Sequence, residues 1–466
     1  MAAERLFLLL LLAGPVLTRR YPSFRLRRRY SEQHQQQVPD VRGAVGERLI
    51  LTGYLGEGRL EEARNLSRVT GGPFPEDIPS YSGFFTVNSE YDSNIFFWFF
   101  PAEHDYENAP VLLWLQGGPG SSSMFGLFTE MGPFFVANDS RTLVKNPYSW
   151  HKNHSLIFID NPVGTGFSYT GNYLGYTKNE EDVGRDLYSA MLQFFTLFPE
   201  LQDHEFFISG ESYAGKYIPA LGHAIHMNNP TASLQINLKG MAIGDGYVDP
   251  VNMIRYSDIV YQWGLVDNST WRRMQEQEDS ALHLVAAGEF VAANDASNEA
   301  IDIYQKASSA SAYNILEASG ESEESYVEFL NGASVRSALH VGNQTFMDDG
   351  VASYDHLEAD IMQSVSPWVE RLLDSGYRVV FYNGQLDVIC GYALTVKMAE
   401  ALSFGAAGEY KMAPRRTWRA HGRVAGYVKT AGNMSEVLVR SAGHMVPSDQ
   451  PAAAFDLIYK VTRNQL

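Results

Sequence analysis

The sequence predicts an α/β protein with a mostly parallel central sheet and helices on both faces. Short, fully apolar runs of strand length recur along the chain, as at residues 111–115 and 156–159. Such runs are typical of parallel strands that are buried on both faces. Residues 182–198, between the run at 156–159 and the strand-like run at 206–208, have helical spacing. Strands that alternate with helices favour a sheet covered on both sides.

The strands and helices follow in order along the chain. We expect ordered structure from about residue 49. Residues 84–87 and 95–100 are apolar runs joined by a polar loop, which predicts an antiparallel hairpin. Residues 206–208 predict a further strand that leads into Gly210, and residues 235–243 predict the next one.

The pattern changes after residue 249. Residues 271–293 and 297–318 have helical spacing and many charges, and strand signals are few. Strand signals resume at residues 377–382 and 436–439. The segment between is therefore predicted to be a mainly helical insertion, placed as a cap on the sheet. A closing helix is predicted at residues 452–461, with Ser448 or Asp449 as its N-cap.

These patterns divide the chain into five segments. The predicted segments are a signal peptide at 1–18, a basic and polar tail or pro-segment at 19–48, the first part of the core at 49–249, the helical cap insertion at 250–349, and the second part of the core at 350–466.

Composition limits the classes of partner. The 466 residues are 45% hydrophobic, which is enough for a large core, and the net charge is −18. That charge disfavours nucleic acid and anionic membranes as partners. Cys390 is the only cysteine, so an internal disulfide cannot form. Neither a metal nor an organic cofactor is indicated.

The N-terminus has the charged start and short apolar run of a signal peptide. No other run is long enough to span a membrane. A secretory-pathway protein, either secreted or held in a lysosome or vacuole, is expected. N-glycosylation sequons agree with this; they are at Asn65, Asn138, Asn153, Asn268, Asn343 and Asn433.

The stretch at residues 206–217 has the pattern of a nucleophile elbow around Ser212. A strand runs into a tight turn, Gly210 and Ala214 supply the small side chains that the turn requires, and a helix begins at once. The helix N-terminus would stabilise an alkoxide and the oxyanion that it creates. The alternative is an ordinary helix start with Ser212 as its cap.

A serine nucleophile needs a base and an acid that orients the base. In α/β-hydrolases these follow the serine in the order acid, then histidine, each at the end of a strand. Asp387 and His444 fit this order. Read singly, Asp387 could be a turn residue and His444 a surface histidine. The Gly-rich loop at 116–120 lacks the spacing of a nucleotide loop, but it can supply an oxyanion N–H, with Tyr213 supplying the other.

At this point the chain resembles the serine carboxypeptidases, a family with the α/β-hydrolase fold. The resemblance extends from about residue 49 to the C-terminus and rests on the motifs at 114–120, 160–169, 210–215, 383–390 and 443–450. Residues 114–120, 123–128 and 340–346 are most similar to the vitellogenic-like carboxypeptidase branch.

The resemblance implies a role for each matching residue. Ser212, Asp387 and His444 match the family's triad. The other matches are Gly118 and Tyr213 as oxyanion donors, Gln116, Gly117, Glu130 and Glu211 as ligands of the substrate's terminal carboxylate, and Cys390 and Met445 in the leaving-group pocket. Without the resemblance, Glu130 would be read as an exposed helix residue and Cys390 as a small buried residue.

Two differences from the family stand out. Gln116 replaces the usual Asn and is one methylene longer. The family's disulfides across the insertion have no cysteines here.

The expected function is a serine carboxypeptidase that removes C-terminal residues from peptides or proteins and favours acidic pH. The acidic preference follows because two glutamates facing a carboxylate must share a proton. One alternative is an acyltransferase or esterase with the same triad, and another is a binding or stabilising protein without catalysis. A homodimer is compatible with the sequence.

Overall fold

The computed structural model describes residues 45–319, 325–348 and 350–466. The predicted signal peptide and most of the predicted tail lie outside these residues. The strands of the described part are β1 Tyr81–Asn88, β2 Ser93–Phe100, β3 Val111–Leu115, β4 Phe134–Val136, β5 Leu143–Lys145, β6 Ser155–Ile159, β7 Phe206–Glu211, β8 Leu238–Gly244, β9 Arg378–Gly384, β10 Arg416–Ala420, β11 Arg423–Ala431 and β12 Met434–Val439.

Within the described residues, ten of these strands form one mixed sheet in the order β1-β2-β6-β3-β7-β8-β9-β12-β11-β10. The six strands in the middle of this order, β6, β3, β7, β8, β9 and β12, pair in parallel with their neighbours in that group. The outer strands pair antiparallel, and β4 and β5 form a separate hairpin. The predicted fold class and the predicted hairpin of β1 and β2 are confirmed.

Helices cover both faces of the sheet and fill the segment between β8 and β9. They are α1 Thr52–Gly56, α2 Leu60–Ser67, α3 Ser123–Thr129, α4 Glu180–Leu197, α5 Ala214–Asn228, α6 Pro250–Met253, α7 Tyr256–Gln262, α8 Asn268–Ala287, α9 Phe290–Ser308, α10 Ser325–Asn331, α11 Ala333–Ala338, α12 Val351–Ile361, α13 Ser366–Asp374, α14 Tyr392–Ala401, α15 Ala407–Met412, α16 Val446–Asp449 and α17 Pro451–Thr462.

The core lies on both faces of the sheet, and β2 shows why. Every residue of β2 is buried, and successive side chains of a strand point to opposite faces. Phe97 and Phe99 therefore join one apolar cluster, while Phe96 and Trp98 join the other. Burial of one such side chain contributes roughly 1.5–3 kcal/mol, so a fully apolar strand is held from both sides.

Helices α6 to α11 occupy residues 250–338, within the segment predicted as a helical insertion. The predicted ends of its long helices are displaced. Helix α8 ends at Ala287 because Gly288 adopts a left-handed φ of 78° and its N–H bonds to the carbonyls of Leu284 and Val285. The next helix then begins at Phe290.

The predicted N-cap of the closing helix was wrong. Helix α17 begins with Pro451 after Gln450, and no side chain caps it. Ser448 and Asp449 instead belong to the short helix α16. The Asp449 carboxylate accepts from the N–H of Gly443 at 2.6 Å. Asp449 therefore binds the loop that carries His444 and does not cap α17.

The sole cysteine, Cys390, is free and buried, and the insertion depends on packing and buried polar contacts. Glu278 of α8 is buried and accepts from the backbone N–H and the hydroxyl of Ser257 on α7, both at 2.7 Å. Along the described ranges, we find no helix with the length and apolar character needed to cross a bilayer.

Candidate active site

The carboxyl ends of five neighbouring parallel strands meet at one edge of the sheet. The register pairs the end of β3 with β7, the end of β7 with β8, and the ends of β8 and β12 with β9. A polar residue follows shortly after each of these ends. In strand order they are Gln116, Ser212, Asp245, Asp387 and His444.

Ser212 lies at the turn between β7 and α5, as predicted from the elbow pattern. Its φ of 62° is left-handed, which is unusual for a residue with a side chain and is a mark of functional turns. Its N–H donates to the carbonyl of Gly244 at 3.0 Å. A Cβ on Gly210 would lie 2.2 Å from the carbonyl oxygen of Leu115 and 2.9 Å from the Cβ of Ala214, so the turn requires small residues.

The Gly-rich loop lies directly against the elbow. A Cβ on Gly117 would lie 2.6 Å from the Cβ of Ser212 and 2.5 Å from the nitrogen of Tyr213. Only glycine permits this approach. Gly118, Ser212 and Tyr213 line the same cavity, so the loop, the nucleophile and the first residues of α5 share one space.

Asp387 and His444 form a buried hydrogen-bonded pair. The Nδ1 of His444 lies 2.9 Å from the Oδ2 of Asp387. Asp387 also accepts from the backbone N–H groups of Ile389 at 3.0 Å and Cys390 at 3.2 Å. Because a carboxylate only accepts, Nδ1 carries the proton, and the Nε2 of neutral His444 is then a free acceptor.

That Nε2 atom is buried and has no hydrogen-bond partner among the described residues, the hydroxyl of Ser212 included. The ring of His444 packs on Tyr313 with centroids 5.1 Å apart, and Tyr313 lines the same cavity as Ser212. Contacts between a nucleophile and its base are often long in free enzymes and tighten in the complex.

The predicted carboxylate-binding residues also come together. The amide of Gln116 donates to the Oε1 of Glu211 at 2.7 Å, and Trp114 holds the other end of that amide by donating to Oε1 of Gln116 at 2.9 Å. Glu130 follows α3 and is only 1% exposed, and its carboxyl group is near enough to raise the pKa of Glu211.

The carboxyl groups of Glu130 and Glu211 interact electrostatically. Burial raises the pKa of Glu211 well above its usual value, and the neighbouring carboxyl group of Glu130 raises it further. Two carboxyl groups in contact cannot both be ionised without a large cost. The cluster therefore favours the neutral form of Glu211, the residue next to Ser212.

A cavity of about 130 Å³ opens at Ser212, which is large enough for one side chain. Its walls come mainly from α9 and from aromatic residues. The residues that line it include Tyr247, Tyr256, Asn294, Ser297, Ile301 and Tyr354. Cys390 also lines it, whereas Met445 is buried but is not among the described residues of its wall.

Sequence reasoning missed Asp245 and Tyr313. Asp245 follows a buried strand in the way that Asp387 does, so its position was a usable signal. Tyr313 has no local signal, because its role comes from packing against His444. Atoms of Asp245, Asp387 and His444 lie within 4.8 Å of one another.

The asparagine side chains of the predicted N-glycosylation sites are exposed, except for that of Asn153. Asn153 is half-buried. The exposed ones are Asn65, Asn138, Asn268, Asn343 and Asn433.

The comparisons with known proteins identify the family. The family model described as "Serine carboxypeptidase" matches residues 71–464. The chain belongs to the serine carboxypeptidase family. It is 46% identical to the "Venom serine carboxypeptidase" of Apis mellifera over 428 residues, which cover 90% of this chain and 91% of that protein.

Two further relatives agree. This serine carboxypeptidase is 46% identical to the "Vitellogenic carboxypeptidase" of Aedes aegypti over 432 residues, with 90% of this chain and 91% of that one covered. The solved structure of Kex1(delta)p, a prohormone-processing carboxypeptidase from Saccharomyces cerevisiae, is similar with a TM-score of 0.77 and 25% identity, covering 86% of this chain and 96% of that one. The resemblance read from the sequence is confirmed.

Proposed function

We propose that this carboxypeptidase removes C-terminal residues from peptides and proteins through an acyl-enzyme on Ser212, and works best at acidic pH. The observation that carries the proposal is the buried cluster of Gln116, Glu130 and Glu211 beside the nucleophile. A neutral carboxyl and an amide at that place suit a substrate that ends in a carboxylate. An internal peptide bond offers no such group.

The chemistry follows from the triad. The oxygen of Ser212 attacks the last peptide carbonyl, and the Nε2 of His444 takes the serine proton. The carbon–nitrogen bond then breaks, and His444 delivers that proton to the leaving amine. Water hydrolyses the ester in the same way, with His444 again as the base. Asp387 holds the imidazole in the required tautomer.

The oxyanion formed in each step needs donors that are already in place. The backbone N–H groups of Gly118 and Tyr213 are the proposed donors. Tyr213 is the residue from which α5 starts, so its N–H is at the positive end of a helix. The close approach of Gly117 to Ser212 and Tyr213 supports this assignment.

Recognition of the terminal carboxylate is expected to depend on pH. Because the pKa of Glu211 is raised by burial and by Glu130, the pair retains a proton at acidic pH and donates it in a hydrogen bond to the substrate. As pH rises, that proton is lost and the two anions repel the carboxylate. The KM should therefore rise with pH more steeply than kcat falls.

The proposed location is the secretory pathway, as a secreted or a lysosomal or vacuolar enzyme. Exposed sequons and the apolar N-terminus support it. The proposed pH dependence suits an acidic compartment.

The test compares a blocked dipeptide with its C-terminal amide between pH 4.5 and 7.5. We expect hydrolysis of the acid with a KM that rises with pH, and weak hydrolysis of the amide. Ser212→Ala should abolish turnover of both. A KM for the acid that is independent of pH, or equal rates on acid and amide, would refute the carboxylate cluster.

Variants of the cluster sharpen this test. Glu211→Gln keeps the shape and cannot ionise, so its KM should depend less on pH than that of the wild type. Glu278→Gln is the matched control, since Glu278 is buried in α8 and is not in the proposed site. An alcohol acceptor added to the same assay measures acyl transfer, and transfer products that exceed hydrolysis would favour the acyltransferase alternative.

A further inference from the structure

Asp245 is a buried acid at the centre of the catalytic edge that the mechanism above does not use. It follows β8 with a left-handed φ of 41° and is 0% exposed. Its Oδ1 accepts from the N–H of Gly384 at 2.9 Å, and its own N–H donates to the carbonyl of Tyr382 at 2.7 Å. Its backbone and one carboxyl oxygen are thus fixed.

The carboxyl group of Asp245 faces that of Asp387. An oxygen of each lies within 4.8 Å of the other, and the Oδ2 of Asp245 is buried with no hydrogen-bond partner among the described residues. Asp387 already accepts from two backbone N–H groups and from His444. Two carboxyl groups can face each other only when one of them carries a proton, because an ionised carboxylate has no donor. Since Asp387 receives the other donors, the proton belongs on Asp245.

We propose that Asp245 is a positioning residue of the catalytic triad, whose neutral carboxyl donates a hydrogen bond to Asp387 and holds it in line with His444. Loss of that proton places a second negative charge against Asp387 and breaks the bond. As pH rises and this proton is lost, we expect kcat to fall. The inference rests on the proposed function of the triad.

The surroundings of Asp245 favour the neutral form. Burial, the charge of Asp387 and the charge of Glu211 all raise its pKa, while the hydrogen bond from Gly384 lowers it. The other titratable groups that face it are the hydroxyl of Tyr382, the thiol of Cys390 and the imidazole of His444. They lie on β9, on the loop after β9 and on the loop after β12.

The key variant is Asp245→Asn. Its amide oxygen can still accept from Gly384 and its amide nitrogen can still donate to Asp387, but it cannot ionise. Two rates are measured from pH 4.5 to 8.5: kcat on the blocked dipeptide, and phosphonylation of Ser212 by a fluorophosphonate. The second rate reports the triad without the carboxylate cluster, because this reagent has no terminal carboxylate.

We expect the alkaline fall of both wild-type rates to move upward by about one pH unit or more in D245N, with the rate at pH 5 changed less than about threefold. Asp245→Ala lacks the donor and should lose about tenfold or more at every pH, since the acid is no longer held. Asp245→Ser, which cannot ionise either, is the second variant and should lack the same alkaline fall.

Glu278→Gln serves as the control and should keep the wild-type profile. Superimposed profiles of wild type and D245N, or an unchanged rate in D245A, would overturn the inference. Failure of the proposed function gives a different result, because the reagent would then not label Ser212 and S212A would retain turnover. Thermal unfolding of each variant separates loss of fold from loss of rate.

Discussion

The fold should lose stability as pH rises from about 6.5 to 8, since it buries acids that hold a proton when folded. Burial raises the pKa of Asp160 to about 7, of Glu180 to about 8, of Glu278 to about 7 and of Asp186 to about 6. In the unfolded chain these groups have pKa values near 4.

The direction follows from proton linkage. Between pH 4 and 8 the folded protein binds more protons at these four acids than the unfolded chain does, so the free energy of unfolding falls as pH rises. Their stabilisation is fully present below about pH 4 and is lost as pH passes through the folded pKa values. Buried His151 and His154 have the opposite effect on the free energy of unfolding, which they increase as pH rises. The reason is that burial lowers their pKa to about 4 and about 3.

The two opposing effects can be separated by pH window. The unfolded histidines titrate near pH 6.5, so most of their effect lies below that value. From pH 6.5 to 8 the four acids together should lower the free energy of unfolding by about 3 kcal/mol, and the histidines should offset about 1 kcal/mol. A net loss of about 2 kcal/mol is a sizeable part of a typical stability of roughly 5–15 kcal/mol.

The assay is thermal and denaturant unfolding at constant ionic strength from pH 5 to 8. Glu180→Gln and Glu278→Gln should each flatten the fall above pH 6.5. Glu276→Gln, on the same helix as Glu278 but exposed, should leave it unchanged. Stability that stays level or rises between pH 6.5 and 8 would refute the reasoning.

Two further predictions concern packing at the elbow. Gly210→Ala places a Cβ 2.2 Å from a carbonyl oxygen of β3, so the strands must move apart by about 1 Å. The rate of phosphonylation of Ser212 should then fall about 100-fold. Gly408→Ala, with open space at its Cβ, is the control. Lys216 is fully buried, and its Nζ lies 2.7 Å from the Oδ2 of Asp360. Lys216→Met should cost about 3–5 kcal/mol in denaturant unfolding, whereas adding Asp360→Leu should recover part of the loss.

Local patterns in the sequence were sufficient for much of the fold and for several individual site residues. The strand at residues 95–100 could be predicted because β2 is apolar along its whole length, and such a run fits only a strand buried on both faces. The elbow at Ser212 could be predicted because the tight turn requires Gly210 and Ala214. Where the determinant lies within a few residues, the sequence alone suffices.

The failures have a different physical cause. The predicted cap of α17 was wrong because Asp449 bonds across to the loop of Gly443, a competing partner that local propensity does not include. The end of α8 was misplaced because Gly288 terminates the helix within an otherwise helical pattern.

The sequence by itself determined the alternation of strands and helices, the elbow and the order of serine, acid and histidine. Only the tertiary structure decided which distant groups meet. Gln116 and Glu211 are 95 residues apart in the chain, and the carboxyl groups of Asp245 and Asp387 come within 4.8 Å of each other at the ends of neighbouring strands. The pKa of a buried acid depends on burial and on adjacent charges, and both exist only once the sheet has brought its strand ends to one edge.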